Sequence, residues 1–221
     1  MNTLKVDFTT KRQMANTYKK LEILKMKKNI ILSISMAVAL STTLLANAQA
    51  DDSAVNTKIF LGNKTINSDA WSAQDSHGTV GLLTDFHTGF HGIRVAVDLF
   101  GSGSEEDTTS QVKGTYTAQA NLGIRKYFDL QSKFEPFVGG GINLVNAYQN
   151  NNDQNNNDGS ATTEEEDMGS GLWLNGGVDY FVNDNITLGV DLRYSTADVE
   201  LYGQSVNLNA LTTGVFIGYR L

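Results

Sequence analysis

Eight charged side chains recur at alternate positions of strand-like segments: Arg94, Asp98, Arg125, Glu135, Asp179, Asp191, Arg193 and Arg220. Four guanidinium groups facing four carboxylates suit charge-assisted, bidentate pairing. Inside a narrow barrel such groups fill the lumen as a salt-bridge and hydrogen-bond network. In a wider barrel they would line a solute-selecting pore. Equal numbers of opposite charges argue against strong ion selectivity, so the expectation is a mostly plugged polar lumen, with a narrow channel for small or apolar solutes as the alternative.

Other chemistries find less support. A hydrolase needs a nucleophile, a base and an orienting group within reach. Beyond the leader the histidines are His77, His87 and His91, and none neighbours Ser195. Asp75-Ser76-His77 reads as a loop, and His87 and His91 flank a turn without a third metal ligand. The Asn-rich, then acidic segment 150–167 contains Gln154-x-Asn156-x-Asp158-Gly159 with Glu165 following, an imitation of a calcium loop. Its first position is Gln where Asp is needed, so Asn156, Asp158 and Glu165 form only a weak calcium candidate. No catalytic residue, cofactor or firm metal site is expected.

The elements that would position the charged residues are strands. Segments with a two-residue apolar period lie near 56–66, 77–86, 90–100, 114–128, 134–148, 170–182, 185–197 and 206–221. Tight turns at 86–89, 129–133 and 182–185 alternate with longer polar connections at 67–76, 101–113, 149–169 and 198–205. This pattern predicts an all-β fold, an eight-stranded antiparallel up-and-down barrel with three short turns at one end and four loops at the other. In 185–197, Ile186, Leu188, Val190, Leu192 and Tyr194 oppose Thr187, Gly189, Asp191, Arg193 and Ser195.

Alternation alone does not say which face is outside. Aromatic residues on the apolar face gather at both strand ends, Phe86, Phe128, Phe134, Tyr180 and Tyr219 at one and Tyr116, Tyr148 and Tyr194 at the other. Two membrane–water interfaces select two such belts. The opposite face is Gly, Thr, Asn, Arg and Asp, with few of the Lys and Glu of a solvated surface. The barrel is therefore expected to span a membrane. Lys126 takes the outward parity close to a turn, where its stem can snorkel to the headgroups. Val215, Ile217, Tyr219 and Leu221 make the apolar face of the last strand and are the expected assembly signal.

The front of the chain fits export. Met26-Lys27-Lys28, the apolar run 30–45 and Ala48-Gln49-Ala50 have the three parts of a secretory signal peptide. The run is too short and too rich in Ser and Thr for a helical span of about 20 apolar residues. The expected organisation is an over-extended start at 1–25, a cleaved signal at 26–50 and the barrel at 51–221. Residues 51–221 hold 9 of the 17 basic and 22 of the 24 acidic side chains, a net charge of −13. An acidic chain of this kind is a poor nucleic-acid partner. The absence of Cys excludes a disulfide framework.

Asn121-Leu122-Gly123-Ile124-Arg125-Lys126-Tyr127-Phe128 and Phe134-Glu135-Pro136-Phe137-Val138-Gly139-Gly140-Gly141-Ile142 resemble runs of the small outer-membrane β-barrel superfamily, which includes outer-membrane proteins W and X and the opacity proteins. The last strand, with Gly218-Tyr219-Arg220, resembles that group too, although the chain ends in Leu221 where the family usually has Phe. The resemblance covers most of 56–221. It implies a Gram-negative outer membrane, lipid and lipopolysaccharide as surroundings, the barrel-assembly machinery as a partner in biogenesis, and a monomer. For the W-type proteins it also implies a hydrophobic lumen with a lateral opening, whereas the lumen expected here is charged, with Phe100, Phe137 and Phe216 among its few large apolar members. Lipid A-modifying enzymes share this barrel size and are the least favoured reading.

Overall fold

The computed structural model describes residues 55–66, 76–108, 111–153, 162–201 and 203–221, all in strands or their connections. The strands are β1 (Val55–Ile66), β2 (Ser76–His87), β3 (Ile93–Thr108), β4 (Gln111–Tyr127), β5 (Phe134–Asp153), β6 (Thr162–Phe181), β7 (Ile186–Ser195), β8 (Asp198–Leu201), β9 (Gln204–Asn207) and β10 (Ala210–Arg220). Eight of them form a ring in the order β1-β2-β3-β4-β5-β6-β7-β10, closed by antiparallel pairing of β10 with β1. Closure leaves no unpaired edge, the condition a sheet must meet to lie in lipid. The expected leader, 1–50, lies outside the described residues.

Because side chains alternate across a strand, one parity of each strand faces out. Leu61 is 60% exposed, Val190 53% and Leu174 66%, while Phe60 and Asp191 beside the first two are buried. A water-soluble barrel of this size would bury those aliphatic residues; here they form a continuous apolar exterior.

The strands outrun the segments read from periodicity. β3 and β4 continue to Thr108 and from Gln111, and β5 and β6 reach Asp153 and back to Thr162. Above the apolar band there is no face to keep out of water, so the residues stop alternating while the backbone ladder continues. The segment 198–205, expected to be a loop, contains β8 and part of β9, a hairpin paired Asp198–Asn207 to Leu201–Gln204 and touching the ring where Asp198 pairs with Ser170 of β6. At the opposite end the turn between β2 and β3 is 88–92 rather than 86–89. It needs Gly92, whose φ of 68° is left-handed.

Inside the ring, large rings lie over glycines of the neighbouring strand. Phe137 pairs with Gly177 and Phe216 with Gly189. A Cβ at Gly177 would stand 2.3 Å from Phe137 Cζ and 2.2 Å from the Val190 carbonyl oxygen. Alternating bulk and its absence lets eight strands close around a full interior. Gly177→Val should therefore destabilise the barrel by about 1–3 kcal/mol through overpacking, read as a lower urea midpoint in lipid vesicles, whereas Gly101→Val, where a Cβ meets nothing, should leave the midpoint unchanged.

Candidate functional site

The site is the lumen, and its charged residues come from the inward parities of all eight ring strands. At its centre Asp98 of β3 takes Arg125 Nη2 at 2.7 Å and Arg193 Nη2 at 2.7 Å. Arg193 belongs to β7, four places round the ring from β3, so this carboxylate ties opposite walls together. Arg125 also pairs with Asp85 of β2, and Lys58 of β1 lies 3.6 Å from Asp85 and 2.8 Å from Asp179 of β6. Tyr127 donates to Asp85 at 2.5 Å, and Lys58 Nζ donates to the Tyr127 hydroxyl at 3.0 Å. Beyond Arg193, Asp191 lies 3.5 Å from its Nε and accepts from Asn175 at 2.5 Å. Buried ions are tolerated best when they are both paired and hydrogen-bonded. Every ion from Asp179 to Asp191 has a counter-ion, while Asp98 Oδ1, Asp179 Oδ2, Asp191 Oδ1 and the three guanidinium nitrogens of Arg193 lack a hydrogen-bond partner among the described residues.

Aromatic rings pack against the network. Lys58 Nζ lies 4.5 Å from the Phe216 ring centroid and 4.8 Å from that of Phe137. Arg193 stacks at 4.6 Å from Phe100 and 4.8 Å from Trp173. Such cation–π contacts, in desolvated surroundings, add to the holding of each cation.

A second, shallower group stands at the end of the turns. Glu135 of β5 takes Arg94 at 3.4 Å and Arg220 at 3.3 Å, and each of the three side chains keeps part of its surface in contact with water. A third lies towards the loops. Lys64 donates to Thr117 Oγ1 at 3.2 Å and Gln119 Oε1 at 3.1 Å, and Thr117 shares a 2.6 Å hydroxyl contact with Ser102. Beyond it an apolar cluster joins Ile66 of β1 and Val145 and Ala147 of β5 to Ala197, Val199, Leu201, Val206, Leu208 and Ala210. Since β1 and β5 are opposite walls, this cluster crosses the outer mouth with the β8–β9 hairpin as its middle.

All eight charged residues picked out by parity line the interior, but in two groups. Asp98, Arg125, Asp179, Asp191 and Arg193 belong to the central network, and Arg94, Glu135 and Arg220 to the lower mouth. Lys58, Lys64 and Asp85 join them among the described residues, and the sequence reading does not single them out. Their signal was present, since Ile59 and Leu61 facing outward force Lys58, Phe60 and Lys64 inward.

The residues read as girdles sit on the outer face. Phe128, Phe134, Tyr194 and Tyr219 are exposed, Phe86, Tyr116, Tyr148 and Tyr180 half-buried. Phe134 stacks on Tyr180 at 5.1 Å, and Tyr116 on Tyr148 at 6.3 Å. Val215, Ile217, Tyr219 and Leu221 are likewise exposed. Lys126 donates to the His91 carbonyl beside the turn. Of the calcium candidate, Asn156 and Asp158 lie outside the described residues, and Glu165 lies within β6 opposite Gln149 rather than in a loop. Ser76 is exposed and His77 buried, on opposite faces of β2, so the two cannot act together, and Asp75 lies outside the described residues.

A closed eight-stranded ring with an apolar exterior, an aromatic belt at each rim and a charged interior is an outer-membrane β-barrel. The chain belongs to the OmpW family, whose family model matches residues 37–217. Similar solved structures share its fold at low identity. The attachment invasion locus protein Ail of Yersinia pestis has a TM-score of 0.54 and 12% identity, covering 77% of this chain and 100% of that one. OprG of Pseudomonas aeruginosa has a TM-score of 0.51 and 14% identity over 76% of this chain and 95% of its own. A major outer membrane protein of Thermus thermophilus has a TM-score of 0.56 and 12% identity, with 77% and 100% covered. No curated protein matches the sequence significantly.

Lys58 is the cation on which Asp179 depends, for Asp179 has no other ion pair among the described residues. Lys58→Met should cost about 3–5 kcal/mol, the usual consequence of stranding one buried partner, and adding Asp179→Leu should recover much of the loss. Urea unfolding of both variants in lipid vesicles checks this.

Proposed function

We propose that this is a structural and surface-interacting barrel of the Gram-negative outer membrane, with a lumen closed to the free passage of ions. The observation that carries this reading is the Asp98–Arg193 contact between opposite walls, embedded in a network of buried and paired charges. An eight-stranded ring leaves an interior just wide enough for side chains, and the network with the aromatic rings packed against it, the Lys64 group and the outer apolar cluster occupy successive levels of it. The exterior is suited to lipid and lipopolysaccharide, and the barrel-assembly machinery is the partner in biogenesis through the last strand. The protein acts as a monomer and has no role at nucleic acid.

A second reading, a narrow path for small apolar solutes, has one observation in its favour. The outer mouth is walled by Ile66, Val145, Ala147 and the apolar face of the β8–β9 hairpin, a surface that would admit an apolar solute if the hairpin lifted.

Refolded protein in planar bilayers separates the two. The closed reading predicts a folded barrel, shown by its heat-modifiable gel shift, that gives no stable current steps. Uniform steps in the wild type that vanish when Arg94 or Asp191 is substituted would replace it with the channel.

A further inference from the structure

Among the described residues the ion pairs of the lumen fall into two groups, and Lys64 belongs to neither. Lys58, Arg125 and Arg193 face Asp85, Asp98, Asp179 and Asp191 in the central network, and Arg94 and Arg220 face Glu135 at the lower mouth. Cations and carboxylates balance in those two groups taken together. Lys64 stands outside them. It is 3% exposed, it is hydrogen-bonded to neutral acceptors, and no carboxylate reaches ion-pair distance of it among the described residues. Asp167, on the inner parity of β6, accepts instead from the Glu200 amide at 2.6 Å. A buried ammonium without an anion is unfavourable unless something supplies one.

The surroundings specify what would supply it. Gln119, which accepts from Lys64, donates to Asn121 Oδ1 at 2.8 Å. Asn121 Nδ2, and both Nδ2 and Oδ1 of its register partner Asn143, are buried without a protein partner. Buried amides left in this state are donors in need of an acceptor. The apolar cluster begins directly alongside. Gln119 and Thr117 pair across the β4–β5 ladder with Val145 and Ala147, and Ile66 follows Lys64 on the same face of β1. The ammonium therefore stands on a seam between polar and apolar walls.

We propose that this seam is a binding site for a small amphipathic monocarboxylate. Lys64 supplies the opposite charge, Asn121 and Asn143 offer amide donors to the carboxylate, and the short apolar tail lies against Ile66, Val145 and Ala147. Access runs under the β8–β9 hairpin, whose ladder contact with the ring is the Ser170–Asp198 pair. The site needs no through-passage and is independent of whether the lumen conducts.

The test uses the full barrel in lipid nanodiscs, titrated with hexanoate carrying a ¹³C-labelled carboxyl group and followed by NMR against protein-free discs. The expected result is saturable one-to-one binding, at least tenfold tighter than that of hexanamide, which has the same tail and no charge. Lys64→Met should lower hexanoate affinity at least tenfold, while Lys64→Arg stays within a few-fold of wild type. Absence of saturable binding beyond the empty discs, equal binding of hexanoate and hexanamide, or unchanged affinity in a folded Lys64→Met barrel would each overturn the proposal. The comparison of the two ligands on wild-type protein stands even if a variant fails to fold.

Discussion

Asp98 sits between two arginines from different walls, and the interior is arranged around the need to keep that contact dry and complete. Its carboxylate meets Arg125 of the adjacent strand and Arg193 of the opposite one, both at 2.7 Å. Each arginine then requires a further anion, Asp85 for one and Asp191 for the other, and Asp85 in turn draws in Lys58 and Tyr127. Each step follows from the same constraint, that an ion removed from water must find a counter-ion nearby. Cross-wall pairs of this kind bear on barrel shape as well as charge, because they resist changes in the distance between strands that share no backbone ladder.

Packing supports the electrostatics. Phe137 and Phe216 lie over glycines of neighbouring strands and at the same time present their faces to Lys58. The glycines allow the rings to lie low against the wall, and the low-lying rings leave room for the charges. Above this level the lumen changes character through Lys64 and its amide neighbours to an apolar cluster that crosses the mouth. The lumen is thus graded from charged to neutral polar to apolar along its axis.

Much of this was legible in the sequence, for reasons that also explain what was not. Strand β7 reads directly, since five apolar residues alternate with Asp191, Arg193 and small polar residues, and a strand in lipid has no freedom to break that alternation. The same rule extends to Lys58 and Lys64, but β1 offers only Ile59 and Leu61 as outward markers, a short run from which to carry parity inward. Which charges meet could not be read at all. Asp98 and Arg193 are 95 positions apart in the sequence, and their contact depends on ring closure and strand stagger. The β8–β9 hairpin escaped because Val199, Leu201 and Val206 form too short an alternating run to stand out from a polar loop. Their burial comes from the opposite wall, which periodicity does not see.

If charge holds the opposite walls together, Asp98 and Arg193 are energetically coupled across the lumen, and a double-mutant cycle measures that coupling directly. Asp98→Asn, Arg193→Met and the double variant would be unfolded with urea in lipid vesicles beside the wild type. A coupling energy of about 1.5–3 kcal/mol, the upper range for contacting residues in one network, is the predicted result. A coupling near zero, with the two single losses simply adding, would contradict the account: the opposite walls would then be held by packing alone, with the charges as passengers.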